Sequence, residues 1–179
     1  MANTIGDLYL EDARRQFQGQ KKLAEKAMAQ VNDEQFFTML DPEANSIALV
    51  VKHIAGNLRS RWADFLTSDG EKPDRHRDSE FEKEGRDSRS SLMERWEAGW
   101  RVLFENVDPL VPADLDRTVT IRGEPHTVVK AINRQLTHYA YHVGQIVFLA
   151  KHFAGASWQS LSIPKGKSEE FNAGKAGKT

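Results

Sequence analysis

Apolar residues recur along this chain at steps of three and four in four separate segments, and that spacing is typical of amphipathic helices. The first stripe runs from Ile5 to Val31. The second predicts a helix from about residue 46 to about residue 67. The third runs from Leu92 to Val107, and the fourth continues from an N-cap at Thr127 to about Phe153.

The segments between these stripes lack a helical period. Residues 69–90 indicate a charged loop with a short turn around Phe81. The β-branched run Thr118–Ile121, followed by Arg122 and Gly123, predicts a short hairpin or an extended turn before the last helix. The whole pattern predicts an all-α fold, a four-helix bundle. We expect a single domain over residues 1–172 and a flexible C-terminal tail over residues 173–179.

Composition and charge narrow the functional classes. The 179 residues include no cysteine, which excludes disulfides, zinc knuckles and a cysteine nucleophile. Lys and Arg total 25 against 26 Asp and Glu, so the basic bias of a nucleic-acid binder is missing. The aliphatic run Ile47–Val51 is far shorter than a membrane span, and the first seven residues do not resemble a secretory signal. We therefore expect a cytoplasmic protein with neither nucleic-acid nor membrane partners.

Three histidines are the candidate functional residues. His138 and His142 are four residues apart in the last predicted helix, which places both rings on one face. His53 lies in the middle of the second predicted helix, beside its apolar stripe. Buried imidazoles need partners, and one shared metal ion would satisfy all three. Alternatively each ring hydrogen-bonds to a carbonyl or a carboxylate, and the residue pattern alone leaves both interpretations open.

Three stretches carry a resemblance to a known superfamily. Residues Lys52–Trp62, Asn133–Ile146 and Ser162–Asn172 resemble the DinB-like superfamily of metalloenzymes, specifically a bacterial branch of unknown function. The resemblance implies a four-helix bundle of the up-down-down-up type that is commonly a homodimer. It also implies a divalent metal held by one histidine on the second helix and an H-x3-H pair on the last. Carried over by position, these ligands are His53, His138 and His142.

Three imidazoles leave a divalent ion with an open coordination position, the arrangement of catalytic sites. Zinc is the natural occupant, and nickel, iron or manganese could substitute. The first hypothesis is a metal-dependent enzyme such as a low-molecular-weight-thiol S-transferase, the activity of several DinB-like relatives. The second is a metal-dependent hydrolase, although Tyr139 stands where an H-E-x-x-H enzyme has its glutamate. The third is a non-catalytic bundle with a structural metal.

A small-molecule substrate, with a low-molecular-weight thiol as the first candidate, would contact residues around this centre. Arg59 and Arg61 follow His53 and could hold an anionic group, or could instead pair with acids of the 69–90 loop. His126 precedes the last helix and would enter the pocket rim or cap a turn. The full set of expected pocket residues is Asn57, Arg61, His126, Gln135, Tyr141 and Gln145.

Overall fold

The computed structural model describes residues 3–82, 85 and 87–176. These residues form a mainly helical protein with one small two-stranded sheet. The helices are α1 (Ile5–Met28), α2 (Asp33–Phe37), α3 (Ile47–Trp62), α4 (Arg89–Val107), α5 (Val128–Ala154) and α6 (Ser168–Ala176). The strands are β1 (Thr118–Ile121) and β2 (Glu124–Thr127).

Polar N-caps start the four long helices. Thr4 and Ser88 each form a capping box at the start of α1 and α4. Ser46 accepts the amide of the third residue of α3, and Thr127 does the same for α5. The predicted cap at Thr127 is confirmed. These side chains satisfy backbone N–H groups that the first helical turn leaves without partners.

The core lies between the long helices. Helix α3 packs along α4, α1 packs along α5, and α3 also contacts α5. The apolar stripes of all four meet there, and the largest of their fully buried side chains are Phe17, Trp62, Trp96, Trp100 and Tyr139. Trp96 and Trp100 of α4 are therefore core residues. The contact between α3 and α5 is the one that positions the histidines.

The second predicted helix ends earlier than its sequence suggested. Helix α3 stops at Trp62 rather than near residue 67, because Ala63 takes an extended conformation. Asp64 then adopts a positive φ of 51°, a conformation that aspartate tolerates better than most residues. The Ser68 amide and hydroxyl both donate to the Asp64 carbonyl at 2.9 Å, so Phe65 and its neighbours form a turn rather than another helical turn.

Two shorter helices were not predicted. Helix α2 has only five residues, too few to show a period, and a capping box between Asn32 and Gln35 sets its start. Helix α6 is largely polar and covers residues 173–176 of the expected flexible tail. Residues 177–179 of that tail lie outside the described residues.

The predicted hairpin is present before α5. Strands β1 and β2 pair antiparallel, with Thr118 opposite Thr127 and Ile121 opposite Glu124. Arg122 and Gly123 form the two-residue turn with φ values of 57° and 75°, the left-handed conformation that such tight hairpins require. Asp69 accepts both turn amides at 2.8 Å, so the loop after α3 is anchored to the hairpin.

None of the helices within the described residues combines the length and the apolar character needed to cross a lipid bilayer.

Gly99 of α4 allows the close approach of α3, and replacing it should destabilise the fold. A Cβ there would lie 3.0 Å from the Leu58 Cβ and 3.2 Å from the Ala55 carbonyl oxygen. We expect Gly99→Val to lower the free energy of unfolding by about 1–3 kcal/mol through overpacking. Gly19→Val is the matched control, because a Cβ at Gly19 of α1 meets no atom within 4 Å. Urea unfolding followed by circular dichroism measures both. Equal stability of the two variants would contradict this account of the α3–α4 contact.

Candidate metal centre

The structure brings the three predicted histidines together. His53 comes from the middle of α3, and His138 and His142 lie one turn apart on the facing side of α5. One ring nitrogen from each histidine lies within 4.8 Å of the others. The Nε2 atom of His138 is 3.3 Å from Nε2 of His53 and 3.2 Å from Nε2 of His142. Three imidazoles from two helices therefore converge on one point.

These separations match the edges of a metal coordination shell. Imidazole nitrogens bind zinc at about 2.0–2.1 Å, and two ligands at the tetrahedral angle then lie roughly 3.3–3.4 Å apart. The nitrogen–nitrogen distances from His138 to His53 and to His142, 3.3 and 3.2 Å, are close to that edge length. The spacing suits three ligands of one divalent ion without a large movement of either helix.

Glu80 fixes the orientation of the His53 ring. Its Oε2 lies 2.8 Å from Nδ1 of His53, and Arg75 holds both of its oxygens, each at 2.9 Å. Burial by itself would raise the pKa of Glu80, but the hydrogen bonds from His53 and Arg75 outweigh it, and the net pKa is lowered. The carboxylate is therefore ionised and only accepts, so His53 carries its hydrogen on Nδ1. The Nε2 lone pair of His53 then faces the other two rings.

Gln145 orients His142 in the same way. Its Oε1 lies 2.9 Å from Nδ1 of His142, so that nitrogen donates and the Nε2 lone pair points toward His138. The Nδ1 atom of His138 is buried, and within the described part of the chain it has no hydrogen-bond partner. Two lone pairs thus converge on the Nε2 of His138, which carries at most one proton.

Protonation of the α5 histidines does not remove the close contact between nitrogen lone pairs. Burial, reinforced by the neighbouring His142 and His53, lowers the pKa of His138 to about 3. Burial also lowers the pKa of His142. The lowered pKa values keep the two α5 rings neutral at ordinary pH, and neutral imidazole is the form that binds a metal. The donor set, its spacing and its orientation fit a divalent cation.

A buried polar network joins α3 to α5 beside the histidines. Asn57 Oδ1 accepts from Gln135 Nε2 at 2.6 Å and from the Tyr139 hydroxyl at 3.1 Å. The Tyr139 hydroxyl also accepts from Gln135 at 2.9 Å and from Trp62 Nε1 at 3.1 Å. Asn57 lies four residues after His53, and Gln135 lies three before His138. The network therefore holds the two ligand-bearing helices in register.

A cavity of about 390 Å³ adjoins the histidines. Four of the six expected pocket residues line it, namely Asn57, Arg61, Tyr141 and Gln145. Gln135 is only 1% exposed and belongs to the polar network instead. The structure does not bring His126 to this cavity, because it lies on β2 with its Nε2 4.0 Å from the Glu124 carboxylate. The remaining described lining residues are Asn45, His53, Arg75, Arg77, Phe81, Arg122, Arg134, His138 and His142.

The two arginines after His53 pair with acids of the loop. Arg61 donates to the Gly70 carbonyl and lies 2.9 Å from the Glu71 carboxylate, and its side chain is 3% exposed. Arg59 forms an ion pair with Asp74. The sequence left two roles open for these arginines, binding an anionic group or pairing with acids of the loop. In the structure both arginines pair with acids of the loop. Arg61 contributes charge to the cavity wall, but its hydrogen bonds are already directed into the loop.

Glu80 and Arg75 are the site residues that the sequence pattern did not reveal. They lie in a charged segment without a period, and nothing in their local sequence distinguishes them from the neighbouring acids and bases. One signal was present. Gly56 is a mid-helix glycine three residues after His53, and a Cβ there would overlap the Glu80 carboxylate. A glycine inside a helical pattern often marks such a close approach.

Comparison with known proteins identifies a family but no activity. A search of curated proteins and a search of solved structures each returned no match to this chain. A family model described as "Protein of unknown function (DUF1572)" matches residues 4–167. The matched span includes the three histidines, Glu80 and every described residue of the cavity wall. The chain therefore belongs to the DUF1572 family of proteins of unknown function.

Proposed function

We propose that this protein binds one divalent metal ion through His53, His138 and His142. The observation that carries the proposal is the set of three Nε2 atoms, two of them with lone pairs aimed at the third from 3.2 and 3.3 Å. Glu80 and Gln145 hold two of the rings in that orientation. Hydrogen-bonding alone would leave one of these lone pairs without a donor, whereas a cation would accept all three.

We place the chain in the DinB-like superfamily as part of this proposal. Four long helices are present, of 24, 16, 19 and 27 residues, which is compatible with a four-helix bundle of the up-down-down-up type. The ligands come from the second and fourth of these helices, in the positions that the resemblance implies. Zinc is the first choice of metal, because three neutral imidazoles suit it, with nickel, iron and manganese as substitutes.

The surroundings favour a catalytic role over a structural one. A closed structural site has four protein ligands, but the His53, His138 and His142 group gains no fourth histidine, cysteine or carboxylate within the described residues. The histidines also border the 390 Å³ cavity rather than a packed core. A small molecule in that cavity would have direct access to the open coordination position.

Thiol transfer is the reaction that the site supports best. Glu80 cannot serve as a free base for water, because both of its oxygens are engaged by Arg75 and one also by His53. Among the described residues that line the cavity there is no aspartate or glutamate. A divalent ion at this site would lower the pKa of a bound thiol, so no protein base is required. Since the chain has no cysteine, the thiol would be an external, low-molecular-weight one.

The quaternary state and location belong to the same proposal. We propose a cytoplasmic homodimer. Two aromatic side chains on the outer face of α5 support the dimer, because Tyr141 is 62% and Phe148 64% exposed. Both side chains line one surface groove together with Leu149, and contiguous exposed apolar surface is typical of protein–protein contacts. Tyr141 also lines the cavity, and its ring centroid lies 4.7 Å from that of His142.

Metal content tests the proposal directly. The parent protein, purified without a metal-affinity column, should carry about one divalent ion per chain by elemental mass spectrometry. His142→Ala should reduce this to less than about a fifth, because two histidines hold a divalent ion weakly. His152→Ala is the matched control, an exposed histidine on the same helix. The absence of metal from a folded parent protein that also takes up none when zinc is added would refute the metal centre.

Removing the carboxylate that orients His53 should weaken metal binding without abolishing it. Glu80→Gln should raise the dissociation constant for zinc by about 10–100-fold, the usual cost of losing a partner behind a histidine ligand. Competition with a fluorescent chelator measures the constant. Glu82→Gln serves as the control, because Glu82 is an exposed acid only two residues away. If the two variants bound zinc equally well, Glu80 would have no part in orienting the ligand.

Turnover separates the thiol transferase from the hydrolase. Zinc-loaded protein should accelerate conjugation of monochlorobimane with at least one low-molecular-weight thiol, and His142→Ala should lose that acceleration. Hydrolysis of p-nitrophenyl acetate without thiol should stay near the rate of free zinc, because the cavity offers no base. Ester turnover well above that rate, with no thiol conjugation, would decide for the hydrolase.

A further inference from the structure

The cavity beside the histidines has a strongly cationic wall. Five of its described lining residues are arginines. The described lining includes no aspartate and no glutamate. The carboxylates that pair with these arginines do not line the cavity; they are Glu71, Asp78 and Glu80. Four of the five guanidinium groups pair with these three carboxylates, so the arginines outnumber the carboxylates. The cavity keeps an excess of positive charge even before a metal ion is added.

Three of the arginines are committed to structure. The side chains of Arg61 and Arg75 are buried, and both pair with Glu71, at 2.9 and 3.5 Å. Arg75 also holds Glu80 through two hydrogen bonds of 2.9 Å. Arg122 in the hairpin turn places its Nε 2.9 Å from the same Glu71 carboxylate. These contacts hold the loop after α3 against the rest of the molecule. This structural role explains why these three guanidinium groups are present.

A structural role of this kind does not explain the other two arginines, Arg77 and Arg134. Arg134 is exposed, and among the described residues it has no carboxylate within ion-pair distance; its Nη1 donates to the neutral Gln135 amide oxygen at 3.0 Å. Arg77 pairs only loosely with Asp78, at 3.6 Å, and the Asp78 side chain is 97% exposed. Its guanidinium lies over the ring of Phe81, 5.1 Å from the centroid, which keeps it at the cavity.

We propose that the cavity recognises a small organic anion, and that Arg134, assisted by Arg77, binds its carboxylate or tetrahedral oxyanion group. The inference rests on the proposed metal centre, because the other end of the same molecule reaches the three histidines. Arg134 lies four residues before His138 on one face of α5, roughly 6 Å along the helix axis. A substrate with two or three carbon atoms between its metal-binding group and its anionic group spans such a distance.

Three small thiols that differ mainly in their terminal group test this inference. They are 2-mercaptoethanol, which is neutral, 3-mercaptopropionate, which carries a carboxylate, and 2-mercaptoethanesulfonate, which carries a tetrahedral oxyanion. Each is titrated into the full chain loaded with cobalt(II), and the visible absorption of the cobalt–thiolate complex gives a dissociation constant. The parent should bind at least one anionic thiol about tenfold more tightly than the neutral one, because guanidinium–oxyanion hydrogen bonds are strong. The tighter of the two anionic thiols identifies the planar or the tetrahedral group.

Substitutions of single arginines show which residues cause the preference for anionic thiols over the neutral one. Arg134→Gln should reduce the preference to less than about threefold while the affinity for 2-mercaptoethanol stays unchanged, and Arg77→Gln should reduce it by a smaller factor. Arg101→Gln is the matched control, an exposed arginine of α4 outside the cavity wall, and it should behave as the parent. Circular dichroism verifies that each variant is folded.

The failures of the two proposals are distinguishable. If cobalt binds and gives a thiolate spectrum but the parent binds all three thiols equally, the anion site is overturned and the metal centre stands. A preference that persists in Arg134→Gln overturns the assignment to that residue. If cobalt does not bind to the folded parent at all, the metal centre fails and the metal-adjacent anion site falls with it.

Discussion

The site depends on holding three imidazoles close together inside the protein. Two Nε2 lone pairs face the Nε2 of His138, and burial lowers the pKa of that ring to about 3, so a proton is not an available solution. Such an arrangement costs free energy unless something accepts the lone pairs. The polar network of Asn57, Gln135, Tyr139 and Trp62, together with the core packing of α3 and α5, supplies the rigidity that maintains it.

The segment between α3 and α4 completes the centre although it contains no long helix. Asp69 anchors it to the hairpin turn, and Glu71 gathers three arginines around one carboxylate. The short 3-10 helix at Asp78–Phe81 then delivers Glu80 to His53, and Gly56 leaves the space for it. Charge pairs thus fix the part of this segment from Asp69 to Phe81, which is rich in charged residues. As a consequence, the position of His53 depends on helix α3, whereas the orientation of its ring depends on Glu80 in the following loop.

The parts predicted from sequence and the parts that were missed differ in what encodes them. Helical periods and caps are local, so the four long helices, the cap at Thr127 and the hairpin could be predicted. The early end of α3 depends on the conformation of Asp64, which competes with an apolar stripe that continues to Phe65. The three histidines could be grouped because two share a helix face and the third lies beside an apolar stripe, and the resemblance implied the same three ligands. Arg75 and Glu80 could not, because an ion pair formed by chain folding leaves no period in the sequence.

The charge balance around Glu80 links the proposed metal centre to the proposed anion site. A carboxylate behind a histidine ligand normally reduces the charge of the whole centre, but here Arg75 binds the same carboxylate through both oxygens. Glu80 therefore orients His53 without offsetting the charge that a divalent ion would bring. The surplus guanidinium groups of Arg77 and Arg134 act in the same direction. A metal centre with this balance would suit ligands that arrive as anions, a thiolate at the histidines and an oxyanion at the arginines.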